Sequence, residues 1–393
     1  MKHWLEGKTA QSLAQDYGTP LYVYSASTID AKVRQLKNAL QGTTLYYSLK
    51  ANPFKPIAAL LHDLGCNIEV ASLGELKIAI EAGHSPADLL FIGPGKTRQE
   101  INEAVRLGVQ RFVVDSYQEL DTLAAETSLR SIYLRVNPSF RAAGGKLTMS
   151  GGQPKQFGID REMVPHFIAE ARKLHMNVTG LHYYLGTRFL KACDIIENSR
   201  QILEDASEIA TNCNLDMQFL DFGGGFGIPY FSNETELSVV QLSRGLREVI
   251  KDASDRFPNA ELCFESGRFI TAEAGTLLLS VVSAKRSYGV QYLICDGGTN
   301  LNMAAIGTGS IGKRNFPSRL VPKQGIIADN VDIIETNVTG PLCTPDDLLL
   351  KSLQWPKRAN NGDLVLIERV GAYGPTASPY SFLGHAYPTE ILI

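Results

Sequence analysis

The 393-residue chain has no stretch near the ~20 consecutive apolar residues that a membrane helix needs, and its first residues, MKHWLEGKTA, lack the apolar centre of a secretory signal. A cytoplasmic location is therefore expected, with no membrane partner. Charge of one sign is also missing: 38 Lys and Arg stand against 41 Asp and Glu, a net charge of -3, so there is no cationic surplus to hold nucleic acid. The six cysteines (Cys66, Cys193, Cys213, Cys263, Cys295, Cys343) form no CxxC pair, which argues against a disulfide framework and a zinc ribbon. Most should be small buried apolar groups, and no metal is expected. Internal repeats and low-complexity tracts are absent too. What these absences leave is small-molecule chemistry.

The composition, 44% hydrophobic and 20% charged, fits a globular chain with room for two cores. From residue 26 to 275, short apolar runs (LYYSLKA, NIEVAS, DLLFIG, RFVVDS, SIYLRVN, VTGLHYYLG, FLDFGGG, LCFESG) alternate with helix-length segments such as QELDTLAAE and MVPHFIAEARKLH. Strands in that rhythm are parallel and covered by helices. Their number and span suit a (β/α)₈ barrel, although rhythm alone leaves a doubly wound sheet open. Residues 276–393 change to β-rich stretches divided by turn residues, so a C-terminal β-domain is expected. Residues 1–25 include the strand-like TPLYVYS and are expected to join that β-domain.

Four segments carry chemistry. In YYSLKANP, Lys50 ends the first barrel strand, on the rim where barrels build active sites. A lysine partly desolvated there can condense with an aldehyde, though a solvated lysine is as ordinary a reading. In FLDFGGGFGIPY, Gly223, Gly224, Gly225 and Gly227 follow a strand and precede a helical segment. Such a run can turn backbone N–H groups toward a phosphate, or it can be a tight turn. It has neither the Walker lysine nor the G-x-G-x-x-G spacing. In CFESGRFI, Glu265 and Arg268 stand close enough for a salt bridge, or for one to face a pyridine nitrogen and the other a phosphate. GPLCTPDD (Cys343, Thr344, Asp347) and VGAYG (Tyr373) lie in turn-rich sequence of the β-domain.

Taken in order, these residues resemble the alanine-racemase-fold decarboxylases that use pyridoxal phosphate, the group of ornithine, arginine and diaminopimelate decarboxylases. The resemblance spans nearly the whole chain. It implies that Lys50, in Y-x-x-K-A-N, carries the cofactor as a Schiff base, and that Gly223, Gly224 and Gly225 bind its phosphate. ESGR stands where the family has E-P-G-R, so Glu265 would pair with the pyridine nitrogen and Gly267 and Arg268 would border the cofactor. Glu69 would lie near the ring, and Tyr373 would help hold the phosphate or substrate. Cys343 resembles the cysteine that protonates the decarboxylated carbon from the neighbouring subunit of a C₂ homodimer with shared active sites. A racemase of this fold sets an arginine against the ring nitrogen, so Glu265 favours decarboxylation.

The departures bear on the substrate. Diaminopimelate decarboxylases have an arginine soon after D-A-G for the distal carboxylate, whereas this chain reads CDGGTNLNMAAIG with no arginine before Arg314. Thr344 stands where relatives have an acid for a distal amine. The family's H-I-G-S is here Tyr184-Leu185-Gly186-Thr187, with Tyr184 in place of the stacking histidine. His182 lies two residues earlier on the same strand face, a candidate for substrate or a hydrogen-bonded strand-end histidine. GGQPKQFGID, GPLCTPDD and GHAYPTE look closer to a biosynthetic branch acting on amino-acid units already conjugated, on a carrier protein or in a citryl-type siderophore intermediate. Lys155, Arg188, Lys313 and Arg314 are then candidates for carboxylates, or solvated charges. The competing expectations are decarboxylation of a free diamino acid and a non-catalytic regulatory homologue.

Overall fold

A computed structural model of the protein describes residues 4–144, 147–148, 151–306, 314–323, 332–357 and 359–393. The chain forms two compact units, one of Asp30–Pro229 and Thr235–Phe269, the other of Met1–Ile29, Tyr230–Glu234 and Ile270–Ile393. No helix among the described residues is long and apolar enough to cross a membrane.

A helix α1 (Ala10–Tyr17) and a strand β1 (Leu21–Tyr24) open the chain and belong to the second unit. In the first unit, eight strands follow: β2 (Thr44–Ser48), β3 (Asn67–Val70), β4 (Leu90–Phe91), β5 (Arg111–Val114), β6 (Ser131–Asn137), β7 (Asn177–His182), β8 (Phe219–Asp221) and β9 (Glu261–Ser266). Each pairs in parallel with the next, and β9 pairs in parallel with β2. The sheet therefore closes into a barrel, which excludes the doubly wound alternative.

Seven helices lie between the barrel strands: α3 (Lys55–Asp63), α4 (Leu73–Glu81), α5 (Arg98–Arg106), α6 (Tyr117–Glu126), α7 (Val164–Lys173), α8 (Ala192–Cys213) and α9 (Val239–Arg256), with α2 (Ala26–Ala39) ahead of the first strand. Local sequence explains their starts. Ser72 and Ser116 accept the N–H of Glu75 and Glu119, and Thr97 with Glu100 forms a full capping box. Their apolar faces, such as Ile101 and Ala104 of α5, are buried. One expectation fails here. The glycine run is followed by irregular chain, and helix begins only at Val239.

The barrel interior is layered. Its lower part is an aromatic and aliphatic core containing Tyr46, Val113, Phe219 and Cys263, with the Tyr133 and Phe219 rings stacked at 4.0 Å. Arg111 closes the bottom by donating to the Tyr46 hydroxyl at 2.8 Å and to Glu261 at 2.6 Å. Toward the C-terminal strand ends the buried residues become polar: Glu69, Arg135, His182, Asp221 and Glu265.

In the second unit, β10 (Gly275–Ser287), β11 (Val290–Cys295), β12 (Ser318–Val321), β13 (Ile333–Thr339), β14 (Leu348–Pro356) and β15 (Leu364–Glu368) form a sheet in the order β12-β15-β10-β11-β13-β14. β1 pairs with β10, and β16 (Thr389–Leu392) pairs with β1. Leu13, Leu21, Val23, Leu278, Val321, Leu364 and Leu366 make the core under this sheet.

Removing a ring from the barrel stack tests how far this layer supports the unit above it. Phe219→Ala deletes a fully buried side chain and should cost about 3–5 kcal/mol, read as a lower urea midpoint by circular dichroism. An unchanged midpoint would show that the stack is dispensable.

Candidate active site

β2 ends at Ser48, and Lys50 sits in the single turn Leu49–Ala51 just beyond it. Two bonds shape this turn: the Tyr47 hydroxyl donates to the Asn52 carbonyl at 3.0 Å, and Asn52 Oδ1 accepts the Phe54 N–H at 3.0 Å. Gly267, at the end of β9, packs so closely that a Cβ there would lie 2.6 Å from Ala51 Cβ. Lys50 thus has its backbone held between two strand ends while its side chain stays 37% exposed. Its Nζ donates to Glu69 Oε1 at 2.8 Å and lies 5.5 Å from the centre of the Tyr184 ring.

Barrel register aligns the other buried groups. Arg135 of β6 is opposite His182 of β7, and His182 is opposite Asp221 of β8. Partners across parallel strands share a face, so the three form one row, with Glu265 of β9 two residues beyond Cys263, the partner of Asp221. His182 Nε2 is 2.8 Å from Glu265 Oε1, and both side chains are buried. Burial, reinforced by the Arg135 charge, pushes the imidazole down to about 3. His182 is thus neutral and donates its Nε2 proton to Glu265. Glu265 therefore pairs with His182, not with the nearby Arg268 that the ESGR spacing also allowed.

Desolvation also acts on the acids. Burial first, then the Glu265 charge, raise Glu69 to about 7 against the opposing pull of Lys50. Burial and Glu265 raise Asp221 well above the ordinary carboxylate range, although its Oδ1 accepts the Gly223 N–H at 2.7 Å. Among the described residues, Glu69 Oε2, Glu265 Oε2, Asp221 Oδ2 and His182 Nδ1 are buried with no hydrogen-bond partner. Glu69, His182 and Glu265 are also spaced closely enough for a cation. Lys50 and the His182–Glu265 bond already engage these three groups, so the arrangement suits a ligand that brings an N–H donor.

The glycine run behaves partly as expected. Its Gly223 N–H is taken by Asp221, so it has no hydrogen left for a phosphate. Cβ atoms at Gly223, Gly224 and Gly225 would come within 2.3, 2.1 and 2.3 Å of the carbonyls of Tyr183, Glu265 and Gly186. These positions lack side chains because neighbouring strands press on them. The N–H groups of Gly224 and Gly225 donate to no protein acceptor among the described residues and remain available for an anion.

Arg135 was not anticipated. Its guanidinium is buried, 3.8 Å from Asp115 and 4.6 Å from the Phe157 ring. Phe157 belongs to GGQPKQFGID, which is tied to the strand ends by Gly158 N–H to Asp115 at 2.8 Å and Gly151 N–H to Asn137 at 3.1 Å. A charged residue at an inward position of SIYLRVN was the available signal. Nearby, Tyr184 is half-buried, Thr187 lies in the short strand Gly186–Thr187, and Arg268 begins a one-turn helix after β9.

The remaining candidates belong to the other unit, apart from two cations of the first. Cys343 is exposed in the turn between β13 and β14, followed by the half-buried Thr344. Tyr373 follows β15 with a φ of 56°. Arg314 lies 5.2 Å from the Phe231 ring and 4.0 Å from Glu234, so its charge is already met. Lys313 lies outside the described residues. In the first unit, Lys155 is exposed and Arg188 half-buried.

Residues 26–272 match the family model of the pyridoxal-dependent decarboxylases, pyridoxal binding domain. The chain belongs to this family. It is 34% identical over 388 residues to the L-glutamyl-[BtrI acyl-carrier protein] decarboxylase of Niallia circulans, covering 97% of this chain and 90% of that protein. To the diaminopimelate decarboxylase of Helicobacter pylori (strain J99) it is 28% identical, over 94% of this chain and 90% of that one. The crystal structure of a diaminopimelate decarboxylase from Helicobacter pylori complexed with L-lysine superposes with a TM-score of 0.83 at 26% identity, over 98% of this chain and 93% of that one.

The family's cofactor fits what the barrel offers. Lys50 would supply an amine, Glu265 Oε2 an acceptor for a ring N–H, and Gly224 and Gly225 two donors for a phosphate. The protein is accordingly a pyridoxal-phosphate-dependent decarboxylase.

Glu69 should titrate inside the working range. Its folded value, about 7, lies above the ordinary value of 4.5, so between the two the folded protein holds a proton that the unfolded chain has lost. The resulting contribution to stability is present at acid pH and is lost as the pH rises through 7. In cofactor-free protein, Glu69→Gln should flatten this decline in denaturant unfolding and remove a protonated-carboxyl infrared band with a midpoint near 7. A band that still titrates with a midpoint near 7 in the variant would refute the assignment.

Proposed function

We propose that this decarboxylase acts on an L- or D-amino-acid unit conjugated at its far end, on a carrier protein or in a citryl-type siderophore intermediate. The observation that carries this reading is a departure from the family's pattern at both distal-charge positions: no arginine follows CDGG before Arg314, and Thr344 stands where relatives have an acid. Between Asp296 and Asn315 the only cations are Lys313 and Arg314, and Arg314 already faces Glu234. Thr344, next to Cys343, is uncharged. A free diamino acid would bring its distal charge to positions where the family's usual partner for it is missing, and a buried charge without a partner costs several kcal/mol. The carrier-bound glutamyl substrate named for the Niallia circulans relative points the same way. The similarity to diaminopimelate decarboxylases favours a second reading, a free diamino acid.

When bound, pyridoxal phosphate supplies the electron sink for the breaking Cα–carboxylate bond. This chain's residues set the conditions for it. Lys50 is the amine that would join the cofactor. Glu69, close to neutrality and bonded to Lys50 Nζ, can take up or return that amine's proton. His182 holds Glu265 through Oε1 and leaves Oε2 without a partner, so that it would accept the N–H of the cofactor's ring. Tyr184 offers an aromatic face beside Lys50. In the same reading Arg268 and Tyr373 help hold phosphate or substrate, and Cys343 is the acid that returns a proton to Cα from the partner subunit of a homodimer.

Turnover should be measured on free glutamate, ornithine and diaminopimelate and on the same units conjugated through the distal group. A kcat/KM at least tenfold higher for a conjugate is expected, about 1.4 kcal/mol of transition-state preference; higher efficiency on a free diamino acid would reject the proposal in favour of the second reading.

Site sharing has its own test. Lys50→Ala and Cys343→Ala homodimers should each be nearly inactive, and mixing them should restore about a quarter of wild-type activity, because one of the two sites in each mixed dimer, formed by half the dimers, is intact. Mixtures no more active than the separate variants would rule out a site built from two subunits.

A further inference from the structure

The β-rich unit contains a cavity of about 530 Å³ that the reading above leaves idle. Its floor is a face of the sheet. Register sets Lys285 of β10 opposite Tyr292 of β11, and Tyr292 opposite Asn337 of β13. In the next row, Ile294 is opposite Thr339. Adjacent strands lie about 4.8 Å apart, so Lys285, Tyr292 and Asn337 span roughly 10 Å in one line. The turn that carries Cys343 forms a wall, with Thr344 among the lining residues.

The polar groups on this floor include donors that meet no acceptor among the described residues. Asn337 is 8% exposed, and its Oδ1 accepts the Ser352 N–H at 2.8 Å. Its Nδ2 donates to nothing among the described residues, and no hydrogen bond or ion pair among them engages the side chains of Lys285, Tyr292 or Thr339. One acid, Asp347, lines the cavity itself, and both of its oxygens are already occupied. Asp347 accepts the Thr299 N–H at 2.7 Å, the Thr299 hydroxyl at 3.1 Å and the Leu342 N–H at 2.8 Å. Glu335 accepts the Ser352 hydroxyl at 2.8 Å. An ammonium, an amide N–H₂ and two hydroxyls facing one space are best satisfied by anionic oxygen.

We propose that this cavity binds an anionic oxygen group at the far end of the conjugated substrate. The inference rests on the conjugated-substrate reading and on Cys343 as the proton donor, since Leu342 and Thr344, its two neighbours in the chain, line the cavity. Two sources share the chemistry: the carboxylates of a citryl-type conjugate and the phosphate of a carrier-borne pantetheine arm.

The test titrates holoenzyme calorimetrically with citrate and with 4′-phosphopantetheine, in wild type and in Lys285→Gln and Asn337→Asp. Asn337→Asp keeps the acceptor that Ser352 uses and turns the donor into a repelling oxygen. Each variant should weaken the bound probe roughly tenfold or more, with the cofactor absorbance and melting temperature unchanged. Tighter citrate binding identifies the citryl source, and tighter phosphopantetheine binding the carrier arm. A wild type that binds neither probe, or variants that bind as wild type does, overturns the proposal. If wild type prefers conjugated substrates but the variants leave their KM unchanged, the cavity assignment fails and the functional reading survives. If the variants lose the probe while wild type shows no preference for conjugates, the functional reading fails and the cavity stands as an anion site.

Discussion

Three carboxyl groups buried at one barrel mouth, Glu69, Asp221 and Glu265, cannot all be charged beside one another without compensation. The site relieves this in three ways. Glu69 is met by the Lys50 ammonium and titrates near neutrality. Asp221 is driven toward its protonated form while it accepts one N–H from the glycine turn. Glu265 receives a hydrogen from an imidazole that its own surroundings keep neutral. The result is a mouth with unfilled acceptors and an accessible amine, which suits a cationic ring that carries an aldehyde.

The barrel makes this possible by separating its layers. Below, the Tyr133–Phe219 stack and the Arg111–Tyr46–Glu261 network seal the bottom. Above, parallel register places one polar side chain per strand in a common row, so Arg135, His182 and Asp221 meet although they are far apart in sequence. The glycines after β8 serve the same end. Their missing side chains let the turn lie against the carbonyls of Tyr183, Glu265 and Gly186, which leaves two N–H groups at the rim.

Much of this was legible in the sequence. The alternation of strands and helices from residue 26 to 275 reflects a local rule, because a parallel strand covered by helices is mostly apolar, with the buried polar residues kept to its C-terminal end. YYSLKANP and ESGR fall at barrel strand ends, which puts Lys50 and Glu265 at the mouth. The helix expected after the glycine run was not found, because the chain from Phe226 to Ser238 runs irregularly before α9 begins. The charge of Arg135 inside SIYLRVN was visible, but its role depends on Asp115 and Phe157, which come from other segments.

The amino-acid order by itself determined the kind of chemistry: a strand-end lysine, a glycine turn and a strand-end glutamate are set by residue type and position along single elements. Only the tertiary structure decided the electrostatics. Whether His182 is charged, which hydrogen Glu265 accepts, how far Glu69 rises and which glycine N–H remains open all depend on burial and on partners brought together by strand register. Those quantities are sums over three-dimensional neighbours, and no linear stretch of the chain contains them.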